Sequence, residues 1–313
     1  MYSNNKPLVT CIVTCYKKID YLKEAVMSVI NQDYQRIELL ITDDGTEGFD
    51  AEYFERFVDE NKLDNIENCV VYHHSKNVGT VKNINGMLRI AKGDYFIGLD
   101  GDDVFYEKST ISKIVDRFLV TGADFLSCSR MMCEEKTLNE IKQLPDNYEL
   151  EKIAKLNSAY KQYKSFLVFQ FYDIASGSAM YFTRKNLEMM GLFDETYRQW
   201  QDGPRITEYV KTIGPISTAF DIISIKYRVG GVSNAPKKNT QSANYLGADH
   251  ARFIETKLIP NKVGTGLKKR RYFMFWYYWD QCDSNYKRLK LCAKYPEKFA
   301  FILFKKMMGK PIR

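Results

Sequence analysis

The stretch GDYFIGLDGDDVFY at 93–106 sets three carboxylates, Asp100, Asp102 and Asp103, within four residues at the end of an apolar run. Like charges this close oppose one another's ionisation, so the arrangement calls for something that relieves it. A second acidic pair, Asp43-Asp44, precedes Gly45 at the end of the apolar run 37–42, and Thr14, Cys15 and Tyr16 close the run 8–14. Carboxylates two apart at a strand end can face one hard cation. Mg2+ or Mn2+ takes one or two carboxylates and completes its shell with phosphate oxygens and water. On a diphosphate such an ion acts as a Lewis acid and stabilises a leaving nucleoside diphosphate. The ligand expected is therefore a nucleotide with at least two phosphates. Each Asp-Gly alone also reads as a turn; two acidic clusters at two strand ends of one sheet weigh against that. A calcium loop starting at Asp100 would need Gly at 105 and Glu at 111, where Phe105 and Ile111 stand. The chain has no GxxxxGK[ST] and no GxGxxG after its first strand, which argues against P-loop kinases and dinucleotide oxidoreductases.

The elements that must position these groups follow from periodicity. Runs 8–14, 37–42, 69–72 and 95–99 are apolar and rich in β-branched residues, as buried strands are. Between them, Leu22, Ala25, Val26, Val29 and Ile30 form a helical stripe, as do Val81, Ile84, Leu88 and Ala91, with Gly93 placed to stop the second helix; Phe54, Phe57 and Val58 mark a third helix. Alternating helices and wholly apolar strands predict an α/β fold with a mostly parallel sheet covered on both faces. In such sheets ligands bind beyond the carboxyl ends of the strands, so the three polar clusters should converge on one rim. After residue 105 the alternation fades. The spacing predicts helix within 137–170, a strand over 175–183 entered through Gly177, a short helix over 204–212, a strand over 222–229 and a linker over 234–243.

The chain has 313 residues and a net charge of +7, carried unevenly. Residues 261–313 hold 14 Lys and Arg against 3 Asp and Glu, leaving 1–260 at −4. The basic character thus belongs to the tail, which suits an anionic surface or acidic partner. Seven cysteines without metal-finger spacing read as free thiols of a reducing cytoplasm. No signal-peptide core and no stretch near the roughly 20 residues of a membrane span is present. The localisation expected is cytoplasmic, with peripheral attachment to the inner face of the membrane as an option.

The ordered blocks VTCIVTCYKKIDYLKEAVMSVINQDYQRIELLITDDGTEG (9–48) and NVGTVKNINGMLRIAKGDYFIGLDGDDVFY (77–106) resemble family 2 glycosyltransferases, which have the GT-A fold. GSAMYF (177–182), GLFDE (191–195), Asp202 and YRVGGVS (227–233) continue the resemblance over roughly 7–235. It implies a metal-dependent transferase that takes a nucleotide sugar, usually a UDP-sugar, and inverts the anomeric carbon. Thr14, Tyr16 and Asp44, with Asp43 beside them, match positions that hold the nucleoside. Asp100 matches a position near ribose and metal, with Gly101 after it. Asp102 matches the carboxylate that ligates Mn2+ or Mg2+. Asp202 matches the general base for the acceptor hydroxyl, an acceptor of saccharide, lipid-linked or cell-surface polysaccharide type. A single in-line attack needs one base opposite the leaving diphosphate, and a carboxylate suffices. Asp202 also reads as a helix N-cap, since Gly203-Pro204 opens a helix. The chain departs from the pattern at Thr14 (for Pro), Lys17 (for Asn), Ile84 (for Arg, with Lys82 as a substitute contact) and Gln201 (for Glu). It also lacks the His that many relatives offer the metal near 227–233, and His73, His74 and His250 read as structural or surface residues.

The domains expected are a GT-A catalytic domain over 1–235 and a mainly helical, basic aromatic extension over 236–313. The first divides into a nucleotide-sugar-binding half, 1–105, and an acceptor-binding half, 106–235. KKRRYFMFWYYWDQ (268–281) and KFAFILFKKMMGK (298–310) fit interfacial attachment to anionic lipid as well as packing on the catalytic domain or self-association; no nucleic acid is expected. Two rivals belong to other classes. A phospho-accepting receiver with Asp44 as its acceptor needs neither a second acidic cluster nor residues 110–235. A catalytically inactive sugar-nucleotide or partner-binding module accounts for Ile84 and Gln201. Retaining transfer is the alternative within the enzyme class.

Overall fold

The structure, a computed structural model, describes residues 6–174, 176–230, 241–261 and 267–308. Strands β1 (Val9–Cys15), β2 (Ile37–Asp43), β3 (Ile66–His73) and β4 (Tyr95–Asp100) alternate with helices α1 (Ile19–Ile30), α2 (Ala51–Asn61) and α3 (Thr80–Ile90). The four strands lie parallel in the order β3-β2-β1-β4, as the alternation predicts. Along β1, Val9, Cys11, Val13 and Cys15 enter one core with α1 and α2, while Ile12 enters a second core with Val81, Met87 and Leu88 of α3. This two-residue alternation of faces is what buries a strand on both sides.

Beyond β4 the chain adds β5 (Val104–Phe105), α4 (Thr110–Thr121), β6 (Phe125–Cys133), β7 (Glu140–Leu144), α5 (Asn147–Ala154), α6 (Ala159–Phe166), β8 (Met180–Thr183), α7 (Arg184–Met190), α8 (Asp202–Thr212) and β9 (Ser217–Arg228). The nine-stranded sheet runs β3-β2-β1-β4-β8-β6-β9-β5, with β7 paired to β6. The region 137–170 is therefore not all helix: β7 forms an antiparallel pair with β6 before α5 begins. The strand expected over 175–183 shortens to β8, because Gly177–Ala179 forms a 3-10 turn; Ala175 lies outside the described residues. Helix α8 starts two residues before its proline, and β9 starts five residues before the strand expected there. The linker expected over 234–243 lies outside the described residues up to 240, as do residues 231–233 of YRVGGVS; 241–243 already belong to α9 (Gln241–Phe253).

The C-terminal segment continues with α10 (Leu267–Asp280), α11 (Asn285–Lys294) and α12 (Pro296–Met307). It is mainly helical, but it packs in two ways. Phe253, Ile254 and Leu258 join the second core, with residues of α3 and α8, whereas Phe275, Trp276, Leu291, Cys292, Tyr295 and Ile302 form a small core of their own.

Candidate functional site

In-register parallel pairing sets Thr14 abreast of both Thr42 and Asp100, and Cys15 abreast of Asp43. The carboxyl ends of β1, β2 and β4 therefore form one rim, and the acidic clusters of the sequence meet there. The close approach of β4 to β1 depends on Gly101. Its N–H donates to Thr14 O at 2.7 Å, and a Cβ there would stand 2.8 Å from the same oxygen.

The two carboxylates of the β2 end have separate environments. Asp43 is fully buried and accepts from Thr46 N (2.7 Å), Thr46 Oγ1 (2.5 Å) and His73 Nδ1 (2.9 Å), which closes the turn after β2. His73 in turn stacks on Phe49, a structural role. Asp44 accepts from Val78 N (2.6 Å), Gly79 N (3.0 Å) and Asn77 Nδ2 (2.8 Å), so it receives the amides that lead into α3. Burial raises its pKa, against the pull of those amides and of Arg198. Tyr16 stands exposed at the mouth, with Lys17 Nζ 5.0 Å over its ring.

At the β4 end the three aspartates diverge. Asp100 reaches solvent at the rim and accepts from Thr14 Oγ1 at 3.2 Å. The protein surrounding the rest of its carboxyl group, and next the charge of Asp102, push its pKa up to about 6. Asp102 carries the Lys18 ammonium at 2.7 Å, and Glu135 lies 3.6 Å from the same nitrogen. Asp103 is buried: Oδ1 accepts from Arg228 N at 2.8 Å, and Oδ2 has no hydrogen-bond partner. Desolvation, then Asp100 and Asp102, raises its pKa well above the usual carboxylate range. The crowding read from the sequence is real, but only two of the three groups face the cleft.

Asp202 arrives from the other half of the chain. It is the first residue of α8 rather than its cap. Its Oδ2 accepts from Gly177 N at 2.9 Å and its Oδ1 from Gly203 N at 2.7 Å. A Cβ on Gly177 would sit 2.6 Å from Gln201 Nε2, so the Gln201 side chain would have to turn aside, and 3.5 Å from Asp202 Oδ2. Burial raises the Asp202 pKa; the two amides and Arg130 oppose that rise. The Asp202 charge is also felt at Asp100, so the two carboxylates lie within electrostatic reach of one another.

Lys82 does not join this group. It is exposed on α3, and its charge acts on Glu195. Two cations beside the acidic groups, Lys18 and Arg130, carry no role in the sequence motifs. Arg130 extends from β6, lies 4.7 Å over the Tyr227 ring and pairs with Asp173 at 3.0 Å. Its charge acts on Asp100, Asp103 and Asp202 together. A lone Arg inside the strand FLSCSRMMC was its signal; for Lys18 the signal was its place just past the end of β1. Asp249 of α9 had none. It accepts from the N–H groups of Arg198 (2.9 Å), Gln199 (2.7 Å) and Trp200 (2.9 Å), the loop that delivers Asp202.

The fit to a divalent cation is legible in what already neutralises these groups. Asp100 and Asp102 offer hard oxygen donors, and an ammonium occupies Asp102 as a cation would. Among the described residues no cluster of three or more His, Cys, Asp or Glu is arranged to hold an ion. Two carboxylates with phosphate oxygens completing the shell are the arrangement this rim can offer.

A parallel first half, β1 to β4, joined to a mixed second half in one nine-stranded sheet is the GT-A fold of glycosyltransferases. The profile of glycosyl transferase family 2 matches residues 10–188, more than half of the chain, and the chain belongs to that family. It is 32% identical over 111 residues to an uncharacterised glycosyltransferase of Haemophilus influenzae, a match covering 36% of this chain and 32% of that one. It is 31% identical over 101 residues to the glycosyltransferase GlyG of Streptococcus pneumoniae, covering 32% of each. The chain thus spans about a third of the length of these relatives. In fold it is similar to the mannosyltransferase PcManGT of Pyrobaculum calidifontis, solved with GDP-Man and Mn2+, at TM-score 0.58 and 16% identity, covering 95% of this chain and 76% of that one. It is likewise similar to S. aureus TarS 1-349, solved with UDP-GlcNAc, at TM-score 0.57 and 14% identity, covering 98% and 93%. Among the described residues no helix is long and apolar enough to cross a membrane.

Proposed function

We propose that the chain is a metal-dependent inverting glycosyltransferase of hexosyltransferase type. It moves a sugar from a nucleotide sugar, a UDP-sugar, to a hydroxyl of a saccharide or lipid-linked, cell-surface polysaccharide acceptor. The observation that carries this reading is Asp202, held by two backbone amides within electrostatic reach of Asp100, with a pKa raised by burial. Thr14, Tyr16, Asp43, Asp44 and Gly101 shape the nucleoside pocket in this reading; Asp43 and Asp44 act through the loops they hold. Lys82 is given no donor contact.

Asp100 and Asp102 would hold Mn2+ or Mg2+, which when bound offsets the negative charge of the diphosphate and makes it a better leaving group. Lys18, now on Asp102, has Glu135 as a second partner close by when Asp102 is engaged otherwise. Arg130 offsets negative charge on the Asp202 side of the cleft. Asp202 takes the acceptor proton as the glycosidic bond forms, and because its carboxylate is pinned by Gly177 and Gly203 little reorganisation is needed. The domain division in this reading is a catalytic body to residue 235, nucleotide half first, with a C-terminal extension. Support for the donor class comes from the folds it resembles, solved with GDP-Man and UDP-GlcNAc.

The test is nucleotide-sugar turnover with Mn2+ and Mg2+ on wild type, Asp102→Ala and Asp202→Asn. Asp102→Ala should weaken donor binding in the presence of metal. Asp202→Asn should bind donor normally and lose transfer to the acceptor. Full-rate transfer by Asp202→Asn would remove it from the base role, and binding of nucleoside diphosphate without turnover of any donor would favour the inactive module. Product anomeric configuration decides between inversion and retention.

A further inference from the structure

The small core of α10, α11 and α12 buries only one side of α12. Ile302 points inward, while Phe299, Phe301, Leu303, Phe304, Met307 and Met308 are exposed, Phe304 at 61% and Met307 at 87%. At 100° per residue the side chains at 299, 303, 307, 304, 308 and 301 sweep one continuous face opposite Ile302. The solvent face of this helix is thus its apolar face, the reverse of an ordinary surface helix. Exposed apolar area of this extent marks a docking surface.

Charge identifies the occupant. Residues 261–313 carry 14 basic against 3 acidic side chains. Two of those acids are already paired, Glu297 with Arg271 and Asp283 with Lys287. Lys305 lies along the Phe301 ring at 5.5 Å, so a basic head borders the apolar face, and Lys298 lies over Tyr272 at 4.7 Å. A second copy meeting this face about a two-fold axis would bring two strongly basic segments together, which is repulsive. An anionic bilayer accepts both features: aromatic and aliphatic groups enter the acyl boundary while lysines reach the headgroups. The twelve residues of α12 span about 18 Å, well short of the roughly 20 apolar residues a bilayer crossing needs.

We propose that α12 lies in the surface plane of an anionic lipid bilayer, its Phe299–Met308 face inserted and its flanking lysines on the headgroups. This stands independently of the donor chemistry proposed above. It brings the enzyme to a surface where an acceptor with a lipid tail would lie.

The test is flotation of the full chain with neutral phosphatidylcholine vesicles and with vesicles rich in phosphatidylglycerol, at 0.1 M and 1 M salt, where the screening length falls from about 10 Å to about 3 Å. Each basic residue near an anionic surface strengthens binding about fivefold, so wild type should prefer anionic vesicles at low salt by at least tenfold and lose most of that at high salt. A Phe304→Ser/Met307→Ser variant should float at least tenfold less well. Both side chains already face solvent, so its melting temperature should match wild type. Absence of flotation with anionic vesicles at low salt, or equal flotation by the variant, would overturn the proposal. So would a lipid-free wild-type dimer that the variant breaks into monomers, since that would assign the face to a second copy.

Discussion

In the proposed mechanism Asp202 and Asp102 take two roles through their different surroundings. Asp102 is partly exposed and already engaged with a cation, as a metal-binding carboxylate would be. Asp202 is held by amides in a desolvated cradle that favours holding a proton more than water does. A base with a raised pKa is protonated, and idle, over a wider acidic range. The acid limb of kcat/KM for transfer should therefore sit above the ordinary carboxylate value of about 4, with activity rising as pH rises through it. At pH 8 the Asp202→Asn variant should transfer about a hundred- to ten-thousand-fold more slowly than wild type, with donor affinity unchanged by titration calorimetry. A limb that stays in place in the residual transfer of Asp202→Asn would assign it to another group.

The elements that deliver these residues differ in how far they could be read in advance. β1, β2 and β4 were legible because wholly apolar runs of that length have few alternatives, and the rim of Thr14, Asp43 and Asp100 followed from the parallel pairing they impose. The second half was less legible. β7, with the pattern EIKQL, is an exposed edge strand that local sequence does not separate from helix; it is a strand because β6 offers it an edge. The bracing of the Asp202 loop by α9 could not be read at all, since Asp249 and Arg198 are 51 residues apart and meet only in the fold. That brace has a measurable consequence. Asp249→Ala would leave three backbone amides without their acceptor and should cost about 3 kcal/mol of stability, read by urea unfolding. It should also lower kcat for transfer more than it weakens donor binding, because the loop 198–200 leads directly to Asp202 and reaches the β2 side of the rim through Arg198, whose Nη2 donates to Asn77. Equal losses in donor binding and transfer would mean the whole cleft had shifted.

At the scale of the whole molecule, the acidic rim is a standing cost that ligand binding removes. Asp103 is buried, its Oδ2 lacks a partner, and its pKa in the folded protein lies well above the usual carboxylate range; Asp100 is raised to about 6. Between the unfolded and folded pKa values the native chain binds more protons than the unfolded chain. Stability contributed by these groups is therefore present at low pH and is lost as pH rises through that window, by up to about 1.4 kcal/mol per pH unit for each group. Carboxylates with lowered pKa, such as Glu195 and Asp221, act in the opposite sense, so the comparison must be with a variant. Asp103→Asn keeps an acceptor for Arg228 N–H and removes the charge. Its melting temperature should gain on wild type progressively as pH rises from 5 toward 8. Mn2+ with UDP should reduce that gap, because both carboxylates that crowd Asp103 would then have a cation to face. Ligand at about 100 times its dissociation constant stabilises by about 2.7 kcal/mol, or roughly 4 °C for a chain of this size, and the wild type should gain more than Asp103→Asn. Equal shifts in the two proteins would mean that Asp103 is electrostatically separate from the donor site, and that its burial serves only to tie the β4 turn to the end of β9.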